Sequence, residues 1–488
     1  MDHHAGPDSL AGPRDDSTKS PTHFHMDDYS RGSPFSCKHS FPSRDGSKKA
    51  YQSVGREIDD GRFSDVENES SNDDRLDFSA LKVHGREREL QRLHEIYNFV
   101  RQRGLGRKQK WCKGETSVAF IKGLSGTGKS TLVKQFTEEL IEQSAPPGSP
   151  CAPFFIHGKY DELSGGDPFS AIVEAFSGFA KFLLGEGNGA ELERIRKAVG
   201  DELGSEANAL TAVIPSLKPV VSDEALRKGS RENARNKLKY TFQMFVNAIS
   251  TETRPVIMFL DDLQWCDSAS LELIEALLTD VDLRYFMFIG AYRSDEVVSD
   301  DEILKCCQRI HSIQQIEELE IVNLPMSQLN LLVQDALQRD NPEDTKAITK
   351  VIFNKTNGNI FHSMQVMDEL QRKLVLTFSR VTFQWEWDLE DVDVENLLSD
   401  DVMQAVTEKI VNSHPDLPRV LILAAYTRSS IDAHTLEYLT EINGPTIESQ
   451  ELLRILDLAV VDGLLTNSMG SKFYTFAHDR IQQAGRYY

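Results

Sequence analysis

Gly123-Leu-Ser-Gly-Thr-Gly128-Lys129-Ser130 fits the pattern G-x-x-x-x-G-K-[S/T], and its surroundings decide the fold. The apolar run Val118–Ile121 precedes it and a segment of helical period, Ser130–Leu140, follows it. A strand, a glycine-rich loop and a helix start, in that order, build a phosphate cradle. The glycines let the loop wrap so that backbone N–H groups point inward, and the helix adds the positive end of its dipole. Gly123, Leu124, Ser125, Gly126, Thr127, Gly128, Lys129, Ser130 and Thr131 are the candidate contacts. Lys129 is placed to reach the β- and γ-phosphates, and the Ser130 hydroxyl to ligate Mg²⁺.

Working outward, Val256-Ile-Met-Phe-Leu260-Asp261-Asp262 is a buried-strand pattern that ends in two carboxylates. In a parallel sheet the ligand lies at the carboxyl ends of the strands. Asp261 is therefore expected to hold Mg²⁺, and Asp262 to orient or deprotonate an attacking water. Phe286-Met-Phe-Ile-Gly-Ala291-Tyr-Arg293 ends another strand with an arginine whose planar fork of donors suits a γ-phosphate, and Glu296 is near enough to orient it. Spacing alone reads His478, after Phe476-Ala477, as an ordinary structural histidine.

Candidate strands at Ser117–Lys122, Pro153–His157, Val256–Leu260, Phe286–Ala291 and Glu317–Val322 alternate with amphipathic helices, beginning with one from Glu87 to about Arg101. The pattern predicts an α/β fold: a P-loop NTPase parallel sheet with helices on both faces, over residues 81–325. The strand signal then fades. Residues 326–398 read as a helical lid with a small β excursion at Leu374–Trp387, and residues 399–488 as a winged-helix-like domain of helices plus a strand pair. Residues 1–80 hold 14 serines but five Leu, Ile or Val, too little apolar surface to offset ordering entropy, and are expected to form a disordered tail.

The net charge is −22, which repels a phosphate backbone, so no nucleic-acid partner is expected. The six cysteines include no C-x-x-C pair, which speaks against a zinc knuckle and suits a reducing compartment. No apolar run has the length of a membrane span and no signal-peptide pattern opens the chain, so the expected location is cytoplasmic.

From about Val83 to Tyr488 these residues resemble the predicted-ATPase module of the signal-transduction ATPases with numerous domains, within the AAA+ group. The nearest likeness is to the module embedded in hybrid sensor kinases and nucleotide cyclases. Leu260-Asp-Asp-Leu-Gln-Trp265-Cys-Asp267-Ser-Ala-Ser-Leu271 is the most specific match. Gly85-Arg86-Glu87, Gly158-Lys159-Tyr160-Asp161, Gly290–Glu296, Gly358-Asn359 and His478-Asp479-Arg480 match further landmarks. The resemblance implies that Gly85 and Arg86 lie beside the adenine, that Gly358 lies near the base, and that His478 contacts the ADP β-phosphate and holds a closed state. The family's usual proline after Gly-Asn is replaced by Ile360. Relatives continue past the His-Asp-Arg motif into helical repeats or catalytic domains, and no kinase or cyclase motif is present in these 488 residues.

The expected function is an ATP-binding, slowly ATP-hydrolysing signalling switch that alternates between ATP and ADP and acts through protein partners or self-assembly. Two alternatives remain. One is an initiator or clamp-loader-like ATPase acting on DNA, against which residues 400–488 count seven Lys or Arg and twelve Asp or Glu, a net of 7 − 12 = −5. The other is a nucleotide-locked scaffold with little catalysis.

Overall fold

The computed structural model describes residues 75–78, 81–102, 116–144, 152–162, 168–221, 234–389, 402–427, 431–467 and 473–487. The expectation of disorder over 1–80 therefore lies almost wholly outside the described residues. Of its last part, Leu76 and Phe78 are partly buried and pack against the core that holds Leu329, Ile352 and Trp385.

The chain opens with α1 (Glu87–Gln102), β1 (Thr116–Gly123), α2 (Lys129–Ser144) and β2 (Phe154–Lys159). Helices α3 (Ser170–Leu184), α4 (Gly189–Leu203), α5 (Ala207–Val213) and α6 (Ala234–Ile249) follow before β3 (Val256–Asp261). Then come α7 (Ser268–Leu278), β4 (Phe286–Arg293), α8 (Glu302–His311) and β5 (Ile316–Ile321). All five predicted strands form, with ends shifted by a residue or two.

The sheet order is β2-β3-β4-β1-β5, and every pairing is parallel. Strands β3 and β4 are buried at every position, as continuous apolar runs between two helical layers must be. The edge strand β5 instead carries Glu317, Glu318 and Glu320, charges that discourage further strand pairing. Register does the functional work. Gly123 pairs with Arg293, Leu260 with Gly290, and Lys159 with Asp261, so the loop, the arginine and the acid stand in one row along the carboxyl edge.

One face of the sheet is covered by α1 and α2 through Leu93, Tyr97, Leu132 and Phe136. The other face holds a larger core in which Phe176 meets Phe242 and Phe245 edge to face.

Beyond the sheet lie α9 (Met326–Ala336), α10 (Pro342–Thr356), α11 (Ile360–Arg372) and the hairpin β6 (Leu376–Ser379) and β7 (Gln384–Trp387). Their core joins Leu329, Ile348, Ile352, Leu370 and Trp385. The last group is α12 (Val402–Ser413), α13 (Leu417–Ala425), β8 (Ile431–Asp432), α14 (Ala433–Ile442), α15 (Ser449–Val461), β9 (Leu465–Asn467), β10 (Phe473–Phe476) and α16 (Asp479–Tyr487). Its three strands pair antiparallel in the order β8-β10-β9. Phe361 belongs to this last core and ties it to α11. Among the described residues no helix is long and apolar enough to cross a membrane.

Candidate functional site

The P-loop leaves β1 and turns into α2 as its sequence requires. Gly126 sits at φ 79°, and a Cβ there would stand 2.7 Å from the Asn359 Oδ1 and 2.9 Å from the Phe361 Cβ. Only glycine allows the loop and the start of α11 to approach so closely. Two hydrogen bonds complete that junction: the Asn359 Nδ2 donates to the Ser125 carbonyl at 2.9 Å, and the Phe361 N–H donates to the Gly126 carbonyl at 3.1 Å. Asn359 also caps α11 by accepting from the His362 N–H.

Lys129 is buried and folds back on its own loop, donating to the carbonyls of Gly123 (2.9 Å) and Leu124 (3.0 Å). Burial lowers its pKa, against the opposing pull of the Asp261 and Asp262 carboxylates. The Ser130 hydroxyl donates to the Asp261 Oδ2 at 2.5 Å. Two hard oxygen donors thus meet where α2 begins and β3 ends, a donor set that fits a hard divalent cation such as Mg²⁺. The buried Ser125 hydroxyl, which has no partner among the described residues, lines the same space. The cradle therefore fits the phosphates that the sequence implies.

Asp262 adopts a left-handed backbone at φ 54° and is held from three sides. Its carboxylate accepts from the Arg293 Nε at 3.1 Å and the Gln264 Nε2 at 2.9 Å, and the Lys159 Nζ lies 3.2 Å away. Arg293 is itself saturated. It pairs with Glu296 at 2.7 Å, lies over the Trp265 ring at 4.5 Å, and donates to the Asp479 carboxylate. The second Asp479 oxygen accepts from Lys159. Asp479 opens α16, so a residue of the C-terminal group of elements bridges the ends of β2 and β4.

The charges of this partly buried cluster favour one another's ionised forms. Burial would lower the pKa of Lys159 and Arg293, but the surrounding carboxylates outweigh it and raise both. Burial would raise the Asp479 carboxyl, yet Lys159 and Arg293 hold it below the usual range. Further out, Arg486 pairs with Asp161 at 3.1 Å and extends the seam.

His478, one residue earlier, stacks on Phe361 with ring centroids 3.8 Å apart and planes 15° from parallel. Its Nδ1 accepts the Arg480 N–H at 3.1 Å, which leaves the ring proton on Nε2. Burial, with the nearby cations of Lys159 and Arg293, pushes its pKa well below the ordinary value and keeps it neutral.

These side chains surround a cavity of ≈ 920 Å³ whose wall includes Ser125, Gly126, Gly128, Lys129, Ser130 and Thr131. Asp261, Asp262, Arg293 and His478 face the same space. Gly123, Leu124 and Thr127 are not part of that wall. Nor are Gly85, Arg86 and Gly358. Arg86 braces the loop from behind, donating to the carbonyls of Thr127 (3.1 Å) and Val322 (2.6 Å). Gly85 and Gly358 converge on Leu324: Gly358 has φ 76°, and a Cβ on it would sit 1.9 Å from the Leu324 carbonyl oxygen. Lys159 and Asp479 are two charged groups of this site to which sequence reasoning gave no role. The register of β2 beside β3 could have pointed to Lys159, whereas Asp479 needed the fold.

Residues 82–289 match the AAA ATPase domain family. The chain is also 24% identical, over 398 aligned residues, to hybrid signal transduction histidine kinase G of Dictyostelium discoideum. That match covers 68% of this chain and 11% of the relative, so the chain spans only a small part of that protein's length. Among solved structures, a signal-transduction ATPase with numerous domains and a tetratricopeptide-repeat sensor from Pyrococcus horikoshii matches at 14% identity and TM-score 0.37, covering 84% of this chain and 43% of that one. The ORC2 protein of Aeropyrum pernix, in ADPNP–ADP complexes, matches at 14% identity and TM-score 0.37, covering 84% and 95%.

Proposed function

We propose that the chain is an ATP-binding, slowly ATP-hydrolysing signalling switch. The observation that carries this reading is the convergence of Lys129, Ser130, Asp261, Asp262 and Arg293 along one sheet edge, with Asp479 of the C-terminal elements bonded into the same cluster. The reaction is phosphoryl transfer to water: an oxygen–phosphorus bond forms at the γ-phosphorus, the bond to the β–γ bridging oxygen breaks, and a water proton is released. Lys129 would bind the phosphate oxygens and Asp262 would orient the water. Ser130 and Asp261 would hold Mg²⁺, which neutralises phosphate charge when bound.

Several features support slow turnover and a closed arrangement. Asp262 is occupied by Arg293, Gln264 and Lys159, which keeps its carboxylate from orienting a water in this arrangement. That group, read as a winged-helix-like clasp, would hold the ADP form, with His478 facing the β-phosphate. Release of the clasp would expose surfaces for protein partners or self-assembly. The match to part of a hybrid histidine kinase agrees with a role in signalling.

The test is phosphate release from Mg²⁺-ATP by the purified chain. Slow release is expected, lost in Lys129→Ala and reduced at least about a hundredfold in Asp262→Asn. Release that is unchanged in both variants would contradict the assignment.

A further inference from the structure

Lys159 ends β2, lines the nucleotide cavity, and pairs both with Asp262 and with Asp479. We propose that Lys159 and Arg293 together form a γ-phosphate clamp, and that the Asp479 carboxylate occupies the place of that phosphate while the C-terminal elements are docked. This rests on the nucleotide-switch reading above and adds the means by which the third phosphate is told from the second.

The geometry carries it. Asp479 gives one oxygen to Lys159 and the other to Arg293, so the two cations converge on a single small anion. They come from β2 and β4, the strands on either side of β3, whose end carries Asp261 and Asp262. The bound carboxylate and a terminal phosphate offer the same chemistry to these donors: a compact, delocalised anion with at least two acceptor oxygens. Asp479 belongs to α16, and the Arg486–Asp161 pair holds the same helix to the end of β2. An anion that takes Lys159 and Arg293 from Asp479 therefore removes the strongest polar bonds of the docked helix.

This supplies what any ligand-driven switch needs, a difference in affinity between the two states. ADP leaves the Asp479 bonds intact. ATP competes for both cations, and its γ-phosphate brings more negative charge than one carboxylate. Docking and γ-phosphate binding are then mutually exclusive at this pair.

The experiment uses the full chain with Mg²⁺ and measures equilibrium binding of ADP and of an ATP analogue with a non-hydrolysable imido β–γ bridge. Asp479→Asn removes the competing charge. It should tighten the ATP analogue by about tenfold more than it tightens ADP. Adding Lys159→Gln to that background should weaken the ATP analogue by about tenfold and leave ADP within about twofold, whereas Lys159→Arg should retain most of the preference. Equal shifts for both nucleotides in Asp479→Asn would overturn the competition, and so would a Lys159→Gln change that leaves the analogue unaffected. If the unaltered chain binds neither nucleotide, the switch reading itself falls. If it binds both and the ratio never moves, only the clamp falls.

Discussion

Replacing Phe361 with alanine should loosen the C-terminal elements while leaving the parallel sheet intact. Phe361 begins near the P-loop, yet its side chain is 4% exposed and packs in the C-terminal core with Val406, Ile410 and Leu421. Its ring also stacks on His478. A buried Phe→Ala change costs about 3–5 kcal/mol. About 0.5–1.5 kcal/mol of that is expected from the ring–ring contact. The backbone bond from Phe361 to Gly126 survives the substitution, so the lid's hold on the loop is retained. At the low end of the range, the free energy of opening the C-terminal group falls by about 3 kcal/mol, and its amides should exchange with solvent about a hundredfold faster. Phe361→Leu keeps apolar bulk but loses the ring face, and should accelerate exchange by about fivefold. Hydrogen exchange read by peptide reports β9, β10 and α16 separately from β3 and β4. Wild-type exchange in β10 and α16 of the alanine variant would refute the reasoning. So would equal acceleration in β3 and β4, since that signals global unfolding.

Gly126→Ala forces a side chain into a left-handed position against Asn359 and Phe361, which should cost about 1–2 kcal/mol in backbone strain before the clash is counted. Nucleotide affinity, measured by titration calorimetry, should fall at least about tenfold, and wild-type affinity would show that the loop has room. Arg86→Ala leaves the Thr127 and Val322 carbonyls without their donor and should lower chemical-denaturation stability by about 2–3 kcal/mol, an effect absent if Arg86 is not a brace. Acid should open the seam. The pKa of His478 is lowered, chiefly by burial, so its contribution is full above the ordinary value of about 6.5 and is lost as pH falls below it. Asp479, also held low, acts in the same direction at lower pH. Exchange of the α16 amides, corrected for intrinsic rate, should therefore increase from pH 7 to pH 5, and a flat profile would contradict a neutral His478 in the docked arrangement.

Much of this fold is legible in the sequence because its signals are local. The runs Val118–Ile121 and Val256–Leu260 are apolar without alternation, as strands buried on both faces must be. The glycines of the P-loop state their backbone demands directly, and the acids at 261 and 262 gain meaning from the strand before them. The strand order is less legible: β4 lies between β1 and β3, and nothing in a linear reading says that Arg293 stands between the loop and the acids. Least legible are the contacts made by docking. Asp479 lies 320 residues from Lys159 in the chain, and no spacing rule joins them. Phe361 falls within the residues 326–398 read as a lid but packs in the C-terminal core, because α11 starts beside the P-loop at the meeting of these groups of elements. The packing of Leu76 and Phe78 is hidden for a similar reason. Leu76 and Phe78 are few and isolated in a polar stretch, but the core they pack against is formed by residues far away in sequence.

The central claim is that Lys129 and its loop bind ATP, and thermal unfolding with and without Mg²⁺-nucleotide tests it most directly. At about 100 times its dissociation constant, a ligand specific for the folded chain adds about 2.7 kcal/mol of stability. The account predicts that ATP and ADP each raise the melting temperature, and that Lys129→Ala abolishes the rise without unfolding the chain. A melting temperature that saturating ATP leaves unmoved, or an equal rise in Lys129→Ala, would contradict it.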